Sequence, residues 1–454
     1  MRIGEEITME NHRLLHALFK NQKKFLFLMF FLIFGGIFLL RAFQHKVILA
    51  GNQAYYLLSI LQIPETYLRG MWIIPPLLGF FCFLLIRHLA LQLDFSQKSL
   101  FFFLFFLLLT PAFTFSFTTI TLQGISLFLF LLGIFLFFHK NKWMHYFSPL
   151  LFLAAITVDI FTSVFLILLL FFILLGKKEK RGKALFILGM LCLVLAISFF
   201  FFHPIFLRGP FQEESLMKTI FADLGSGGAG IFLILLAGVG LGACWKQKKL
   251  RLSYLLLTVS FFGTLLVERN FLFLALLIVF FAGEGAVYFY ERKWEIPEAR
   301  KFTLFVVTLG ILLTFLISFQ QQTFANPSQE EVTVFSWMKE NIPVSAKILS
   351  LPKNSYALQY FAQRLPYLFP HEKNNEKEKI SEDIFSSTYI STTFPLLESQ
   401  NITFIYFTPE MKNNLPAEQG ILFLLRNERF KLRFSHQGHE VWEFTPETQQ
   451  INTK

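Results

Sequence analysis

The chain has 454 residues, of which 54% are hydrophobic and 16% charged, with 63 Phe, a formal net charge of +11 and a mean hydropathy of +0.55. These values exclude a chain that folds wholly in water, because they lie outside the range of soluble globular domains. All three cysteines lie in apolar runs, so neither a disulfide framework nor a Cys-based metal site is expected.

Long apolar segments run through the first 320 residues, and a membrane-spanning helix needs about 20 mostly apolar residues. We predict about 11 transmembrane helices, at 25–40, 71–89, 99–114, 120–138, 146–158, 160–175, 184–202, 229–243, 252–266, 271–290 and 302–319. The stretch 146–175 is read as two short helices that turn near Asp159, since basic clusters flank both of its ends.

Basic residues set the expected orientation, because short loops rich in Lys and Arg stay in the cytoplasm. Of the 28 Lys and Arg before position 321, 21 fall on one side, including five in 1–24. We therefore predict a multi-pass protein of the cytoplasmic membrane with a cytoplasmic N-terminus (1–24), a transmembrane domain (25–319) and an extracytoplasmic domain (320–454). The positive excess suits anionic inner-leaflet lipid, and no nucleic-acid partner is expected.

The C-terminal segment is predicted to be an α/β domain with a parallel or mixed sheet. Helices are expected at 328–341, with Ser328 as N-cap, at 354–363, in the first half of 380–400 and at 410–425, with a loop at 371–378. Strands are expected at 347–351 and 402–408, followed by a hairpin of 430–436 and 440–444 that turns at Gln437 and Gly438.

No Walker loop, dinucleotide fingerprint, nucleophile elbow, HExxH or CxxC pair occurs in the sequence. Ionisable groups near the hydrocarbon region are costly and are therefore candidate functional residues. On the predicted outer side these are Asp159, His203, Arg208, Asp223, Glu268 and Arg269, together with the loop 51–69.

Several segments resemble, in the same order along the chain, those of the GT-C superfamily of multispanning glycosyltransferases, which includes oligosaccharyltransferase catalytic subunits and protein O-mannosyltransferases. They are AGNQAYYLLSILQIPE at 50–65, TPAF at 110–113, FADLGSGGAG at 221–230, Arg269 and FSWMKENIP at 335–343. The resemblance implies transfer of a sugar from a polyprenyl-phosphate donor at the outer membrane face, in glycosylation of a glycan, lipid or protein acceptor.

In that family an acid of the first outer loop commonly polarises the acceptor, but the matching positions here are the neutral Asn52 and Gln53. The carboxylate is therefore sought at Glu65, Asp159 or Asp223. Substrate binding is expected from Asn52, Gln53, Tyr55, Tyr56, Arg69, Arg208, Glu268 and Arg269. No ligand motif decides whether a divalent metal such as Mg²⁺ or Mn²⁺ is needed.

Each of these residues also has a structural interpretation. Asp159 and Asp223 are residue types that end helices and turns, Glu65 is a solvated loop residue, and Arg208, Arg269 and the tyrosines suit interfacial anchors. Two further functions stay open: a catalytically inactive scaffold or accessory subunit, and a transporter or flippase. Few charges in the spans and no internal repeat count against the transporter.

Overall fold

The structure is a computed structural model that describes residues 21–43, 52–92, 95–139, 142–159, 228–245, 251–266, 271–323, 327–369, 375–387, 389–415 and 421–446. These residues form two compact units. The first, called the membrane unit, contains 21–41, 71–159 and 228–323; the second, called the C-terminal unit, contains 52–70 and 327–446.

The membrane unit consists of apolar helices. Its helices are α1 (Gln22–Phe43, whose last residues belong to the other unit), α4 (Ile74–Gln92), α5 (Gln97–Leu109), α6 (Pro111–Thr118), α7 (Leu122–Phe138), α8 (Lys142–Val158), α9 (Ile231–Cys244), α10 (Arg251–Leu266), α11 (Phe271–Glu291) and α12 (Pro297–Thr323). The two intervening helices, α2 (Asn52–Ile60) and α3 (Leu68–Met71), belong mostly to the C-terminal unit.

Four helices of the described residues are long and apolar enough to cross a membrane, namely α1, α4, α11 and α12. The predicted span 99–114 is instead two helices, α5 and α6, bent by 57° and together long enough for a fifth crossing. The bend lies at Thr110 and Pro111, because proline cannot continue the hydrogen-bond ladder of α5. A polytopic helical membrane protein is therefore confirmed. Eleven crossings stay a prediction, and the spans at 160–175 and 184–202 lie outside the described residues.

Helices α9 and α11 approach so closely that their glycines are in backbone contact. A Cβ at Gly240 would lie 1.9 Å from the carbonyl oxygen of Phe281, and one at Gly285 would lie 2.2 Å from that of Leu236. Small residues are the usual way for membrane helices to gain such packing, since lipid offers little hydrophobic driving force between helices. The pair forms part of one large apolar core.

The C-terminal unit is built on a mixed five-stranded sheet. Its strands are β1 (Lys347–Leu349), β2 (Leu365–Pro366), β3 (Ile402–Phe407), β4 (Phe430–His436) and β5 (His439–Phe444), in the order β2-β1-β3-β5-β4. Strand β1 runs parallel to β2 and β3, whereas β5 is antiparallel to both β3 and β4. The predicted mixed sheet and the hairpin turn at Gln437 and Gly438 are confirmed.

Helices cover both faces of this sheet. They are α13 (Gln329–Asn341), α14 (Ser355–Ala357), α15 (Asn375–Ser386), α16 (Ile390–Ser399), α17 (Pro409–Asn414) and α18 (Ile421–Leu424). Alternate residues of β3 point to opposite faces: Tyr406 contacts Phe335 of α13 with ring centroids 5.4 Å apart, while Phe407 belongs to the core formed with α15 and α16.

Helix α13 begins where the sequence predicts. The Ser328 hydroxyl accepts from the backbone N–H of Glu331 at 3.2 Å, and the Glu331 carboxylate accepts from the N–H of Ser328 at 2.8 Å. This capping box satisfies two backbone donors that a helix start leaves unpaired. The helix stops before Pro343, which favours an extended residue ahead of it.

Four predictions in this unit differ in part from the structure. The expected loop at 371–378 overlaps α15, which begins at Asn375. Ile380 and the buried Ile384 are four residues apart, so they lie on the same face of this helix. The second half of 380–400 is helical as α16, and the expected helix at 410–425 is two short helices. The expected helix at 354–363 changes from a 3₁₀ turn (Pro352–Asn354) through α14 to a π-helical turn (Leu358–Ala362).

Candidate functional site

The first-loop segment, residues 52–70, folds as part of the C-terminal unit. Tyr55 of α2 is fully buried, with its ring centroid 5.7 Å from that of Tyr360 and 5.2 Å from that of Phe361. Tyr56 meets Tyr356 edge to face at 5.0 Å. These contacts fix α2 against the residues that follow β1. The predicted sugar-binding tyrosines are thus side chains that hold the segment in place.

Glu65 begins a 3₁₀ turn (Glu65–Tyr67) after Pro64 and makes an ion pair with Lys339 of α13. The Lys339 ammonium donates to Oε1 at 3.0 Å, and the two side chains are 37% and 39% exposed. Solvent screens a pair this exposed, which contributes at most about 1 kcal/mol. Glu65 is the one acid in the sequence 42–70. Its carboxylate is therefore ion-paired yet reachable by a substrate.

Tyr360 lies between the buried α2 and this ion pair. Its hydroxyl donates to the backbone carbonyl of Ile63 at 2.8 Å. Burial, and secondarily the negative charge of Glu65, raises the pKa of Tyr360 to about 12. The phenol is therefore a protonated donor at neutral pH, so Glu65 is the group of this cluster that can accept a proton.

Three helices of the membrane unit end around one buried arginine. Arg41, 1% exposed near the end of α1, donates from Nη1 to the carbonyl of Thr118 at 2.8 Å. Its Nε and Nη2 donate to the carbonyl of Gln322 at 3.2 and 3.0 Å. Both acceptors lie in the last turns of their helices, α6 and α12, where carbonyls lack intrahelical partners and the helix dipole favours a cation.

Side chains extend this polar helix end, defined by Arg41, Thr114, Thr118, Ser318 and Gln322. The Gln322 amide donates to the hydroxyls of Thr114 at 2.9 Å and Ser318 at 3.2 Å, and the Thr118 hydroxyl donates to its Oε1 at 3.3 Å. All five side chains are buried, so this network satisfies their polar groups inside the membrane unit.

Irregular backbone meets α6 close to its start. The N–H of Ala112 donates to the carbonyl of Gly228 at 3.3 Å, and Gly230, the N-cap of α9, contacts Thr314 of α12. In membranes, non-helical backbone is tolerated where it is buried in protein or lines a cavity, and broken helices often mark binding sites. Residues 228–230 end the glycine-rich segment that begins at Phe221, although Asp223 lies outside the described residues.

The remaining predicted residues are placed only in part. Asp159 follows the last residue of α8, is partly buried, and its N–H donates to Ala155 at 2.9 Å. Asn52 and Gln53 begin α2, and Arg69 lies in α3. Arg208, Glu268 and Arg269 lie outside the described residues. Glu65 and the tyrosines share one cluster in the C-terminal unit, whereas Asp159 belongs to the membrane unit.

Sequence reasoning missed three residues of these clusters. Lys339 lies in the quoted segment FSWMKENIP, where its charge was not paired with Glu65. Arg41 lies one residue beyond the predicted span 25–40, and a cation at the end of an apolar segment is a usable signal. Nothing local distinguishes Tyr360, because its partner Ile63 is 297 residues away.

A second polar cluster lies in the C-terminal unit, where the Tyr406 hydroxyl is 2.9 Å from Nδ1 of His439. Burial, and secondarily the charge of Glu331, raises the pKa of Tyr406 well above its usual value. Burial lowers the pKa of His439, against an opposing effect of Glu330. Tyr406 therefore donates to Nδ1 of a neutral imidazole. Burial raises the pKa of the Glu331 carboxyl, although its hydrogen bond from Ser328 opposes the shift.

In the part of the chain that the structure describes, no three His, Cys, Asp or Glu side chains come together as metal ligands. Metal sites for Mg²⁺ or Mn²⁺ are built from several oxygen ligands, carboxylates above all. The described residues therefore do not fit such an ion, and no step of the chemistry is assigned to one.

Solved structures with a similar fold are oligosaccharyltransferases. The apo oligosaccharyltransferase of Archaeoglobus fulgidus aligns with 84% of this chain and 70% of its own, at 12% identity and a TM-score of 0.52. AglB of the same organism, in complex with an inhibitory peptide and a dolichol-phosphate, aligns with 94% of this chain and 70% of its own, at 13% identity and a TM-score of 0.50.

ArnT of Cupriavidus metallidurans bound to undecaprenyl phosphate aligns with 92% of this chain and 98% of its own, at 10% identity and a TM-score of 0.47. No family model and no curated protein sequence matches this chain. The fold conclusion rests on the two oligosaccharyltransferase structures. The GT-C resemblance expected from the sequence is confirmed at the level of the fold: this chain has the fold of the GT-C membrane glycosyltransferases.

Proposed function

We propose that this protein is a membrane glycosyltransferase that takes a sugar from a polyprenyl-phosphate donor and transfers it to an acceptor at the outer face of the cytoplasmic membrane. The observation that carries the proposal is the GT-C fold, shared with an oligosaccharyltransferase over 84% of the chain. One of the similar structures holds a dolichol-phosphate, a lipid of the proposed donor class.

The proposed reaction needs a carboxylate and a phosphate-binding group. An acceptor oxygen or nitrogen attacks the anomeric carbon, the bond from that carbon to the phosphate oxygen breaks, and its electron pair leaves with the lipid phosphate. The acceptor proton passes to a carboxylate. Glu65 is the first candidate because it is accessible, and its ion pair with Lys339 holds it in place. Asp159 and Asp223 are the alternatives, with Arg69, Arg208 and Arg269 as proposed phosphate ligands.

Transfer by the purified full chain in liposomes, from a pool of polyprenyl-phosphate sugars, tests this assignment. Glu65→Gln, Asp159→Asn and Asp223→Asn are compared with wild type. Loss of the true base lowers the rate about 10²–10⁴-fold. Glu398→Gln is the matched control, because Glu398 is also a partly exposed glutamate of the C-terminal unit in an ion pair, with Arg429. A control that loses as much rate would remove the assignment of a base.

A catalytically inactive GT-C-like scaffold or accessory subunit is the second candidate. It is favoured by the neutral Asn52 and Gln53 at the matching positions and by the pairing of Glu65 with Lys339. For this function we expect no transfer from any donor that a known transferase accepts in the same liposomes. We also expect the three carboxylate variants to leave binding to a partner protein unchanged.

A further inference from the structure

A groove opens where α1, α4 and α5 meet at the beginning of α1. It is a shallow surface groove that encloses only about 10 Å³. The polar lining residues are Gln22, Lys23 and Arg87. The groove lies within the membrane unit, and Lys23 stands 18 residues before Arg41 on the same helix, which is about 27 Å along the axis. It is therefore far from the polar helix end.

The groove carries two positive charges that no lining residue neutralises. None of its eight lining residues is acidic. Among the described residues no carboxylate pairs with Lys23 or Arg87, in contrast to Lys98 at the start of α5, which pairs with Glu291 at 2.8 Å. An anion is therefore the complementary ligand. A lysine and an arginine together suit a phosphate, as a compact ammonium charge and a planar fork of donors.

Gln22 adds an acceptor to this groove. Its amide nitrogen donates to Oε1 of Gln97, while its own Oε1 is buried and accepts no hydrogen bond from the described residues. A buried acceptor without a donor destabilises the fold, so a ligand hydroxyl at this point would be favourable. The complementary ligand is therefore an anion that also carries a hydroxyl group.

The rest of the groove is apolar. Its lining is completed by Leu26, Phe27, Phe83, Leu100 and Leu104. A free phosphate ion makes no use of such a surface, whereas a lipid places its headgroup on the cations and the first part of an acyl chain on the apolar side chains. Basic pockets between membrane helices bind anionic headgroups in this way.

We infer that this groove binds one anionic glycerophospholipid whose headgroup bears a hydroxyl, with its phosphate on Lys23 and Arg87, its hydroxyl on Gln22 and its acyl chain on the leucines and phenylalanines. The distribution of basic residues assigns this end of α1 to the cytoplasmic leaflet. The groove lies at the other end of α1 from Arg41 and shares no residue with the proposed sugar-transfer site.

The test uses purified full chain in detergent, where a bilayer surface potential is absent, with phosphatidylglycerol and phosphatidylcholine as probes. Native mass spectrometry counts the retained lipids and gives their dissociation constants. We expect one tightly held phosphatidylglycerol and no comparable phosphatidylcholine. Lys23→Gln with Arg87→Gln should weaken the binding of phosphatidylglycerol by up to about thirtyfold, about fivefold for each exposed ion pair with the phosphate. Inorganic phosphate at millimolar concentration should not displace the lipid.

Lys24→Gln is the matched control. Lys24 is adjacent, exposed and equally charged, but it does not line the groove. Its loss should change the affinity less than twofold, and the thermal midpoint of each lipid-free variant checks that it folds. Equal affinity for the two lipids, an unchanged double variant, an equal effect of Lys24→Gln, or displacement by phosphate would each overturn the inference.

Discussion

Replacing Arg41 tests whether one buried guanidinium holds three helix ends together. In Arg41→Met the side chain keeps its approximate length but loses its charge and all its donors. The carbonyls of Thr118 and Gln322, 77 and 281 residues away, then lose the guanidinium donors that they accept in the wild type. The change therefore removes hydrogen bonds and leaves their acceptors in an apolar surrounding.

The magnitude follows from these contacts. A hydrogen bond from a charged donor contributes about 1.5–3 kcal/mol, and two buried carbonyls lose such a donor. We therefore expect Arg41→Met to lower the free energy of unfolding by about 3–6 kcal/mol. Arg41→Lys keeps the positive charge but lacks the planar guanidinium, so its ammonium can donate well to only one of the two carbonyls. The expected decrease in the free energy of unfolding is about 1–2 kcal/mol.

Reversible unfolding in mixed micelles of SDS and a mild detergent measures both changes. Arg292→Met is the matched control, since Arg292 is exposed and its guanidinium lies over the rings of Tyr288 and Trp294. Its expected loss is below about 1 kcal/mol. Wild-type stability in Arg41→Met, or an equal loss in Arg292→Met, would refute the idea that Arg41 joins the helix ends.

Three further results are expected. Gly240→Ala or Gly285→Ala should destabilise the membrane unit by about 1–3 kcal/mol in the same micelles. Gly238→Ala and Gly242→Ala are the controls and should be neutral, because the added Cβ meets nothing within 4 Å. Similar losses at all four positions would contradict the close contact of α9 and α11. Tyr55→Ala should lower the free energy of unfolding of the C-terminal unit by about 3–5 kcal/mol, measured by the rate of proteolysis within 327–446. Tyr67 is 64% exposed, so Tyr67→Ala should leave that rate almost unchanged. Equal rates in the two variants would show that Tyr55 does not fix α2 to the C-terminal unit. Burial lowers the pKa of His439, so the stability that this residue contributes is complete above its unfolded pKa of about 6.5 and is lost as the pH falls from there towards its folded pKa. Hydrogen exchange in β3 and β5, corrected for intrinsic rates, should therefore rise below pH 6.5, and it should rise less in His439→Gln. The raised pKa of Glu331 acts in the opposite direction, so Glu331→Gln should make this rise steeper.

Local chemistry predicts the elements whose causes are local. The capping box at Ser328 and the apolar strand β3 are specified within a few residues, and both are found where the sequence indicates. Pro111 is a local signal for a break after Thr110 that the prediction of one span at 99–114 did not use, and the direction of the bend depends on what α6 packs against. The π-helical turn at Leu358–Ala362 has no local signal, because a tertiary contact, Tyr360 with Ile63, involves its residues.

The candidate site is less predictable for the same reason. Sequence alone indicates Glu65 as the acid of the first loop, but not its pairing with Lys339, which lies 274 residues later. The burial of Tyr55 likewise depends on Tyr360 and Phe361. Asn52 and Gln53 show that the usual acid is absent, a fact that the sequence supplies and no contact alters.

The long separation between the first-loop segment and its partners has a consequence during synthesis. Ile63 leaves the ribosome 297 residues before Tyr360, and at about 5–20 residues per second this is a delay of about 15–60 s. During that interval α2 has been made but Tyr360 and Phe361, which bury Tyr55, have not. A chain interrupted anywhere between α2 and Tyr360 therefore exposes an aromatic surface. Truncated chains should for this reason be held by chaperones or degraded, even when their apolar helices are already inserted.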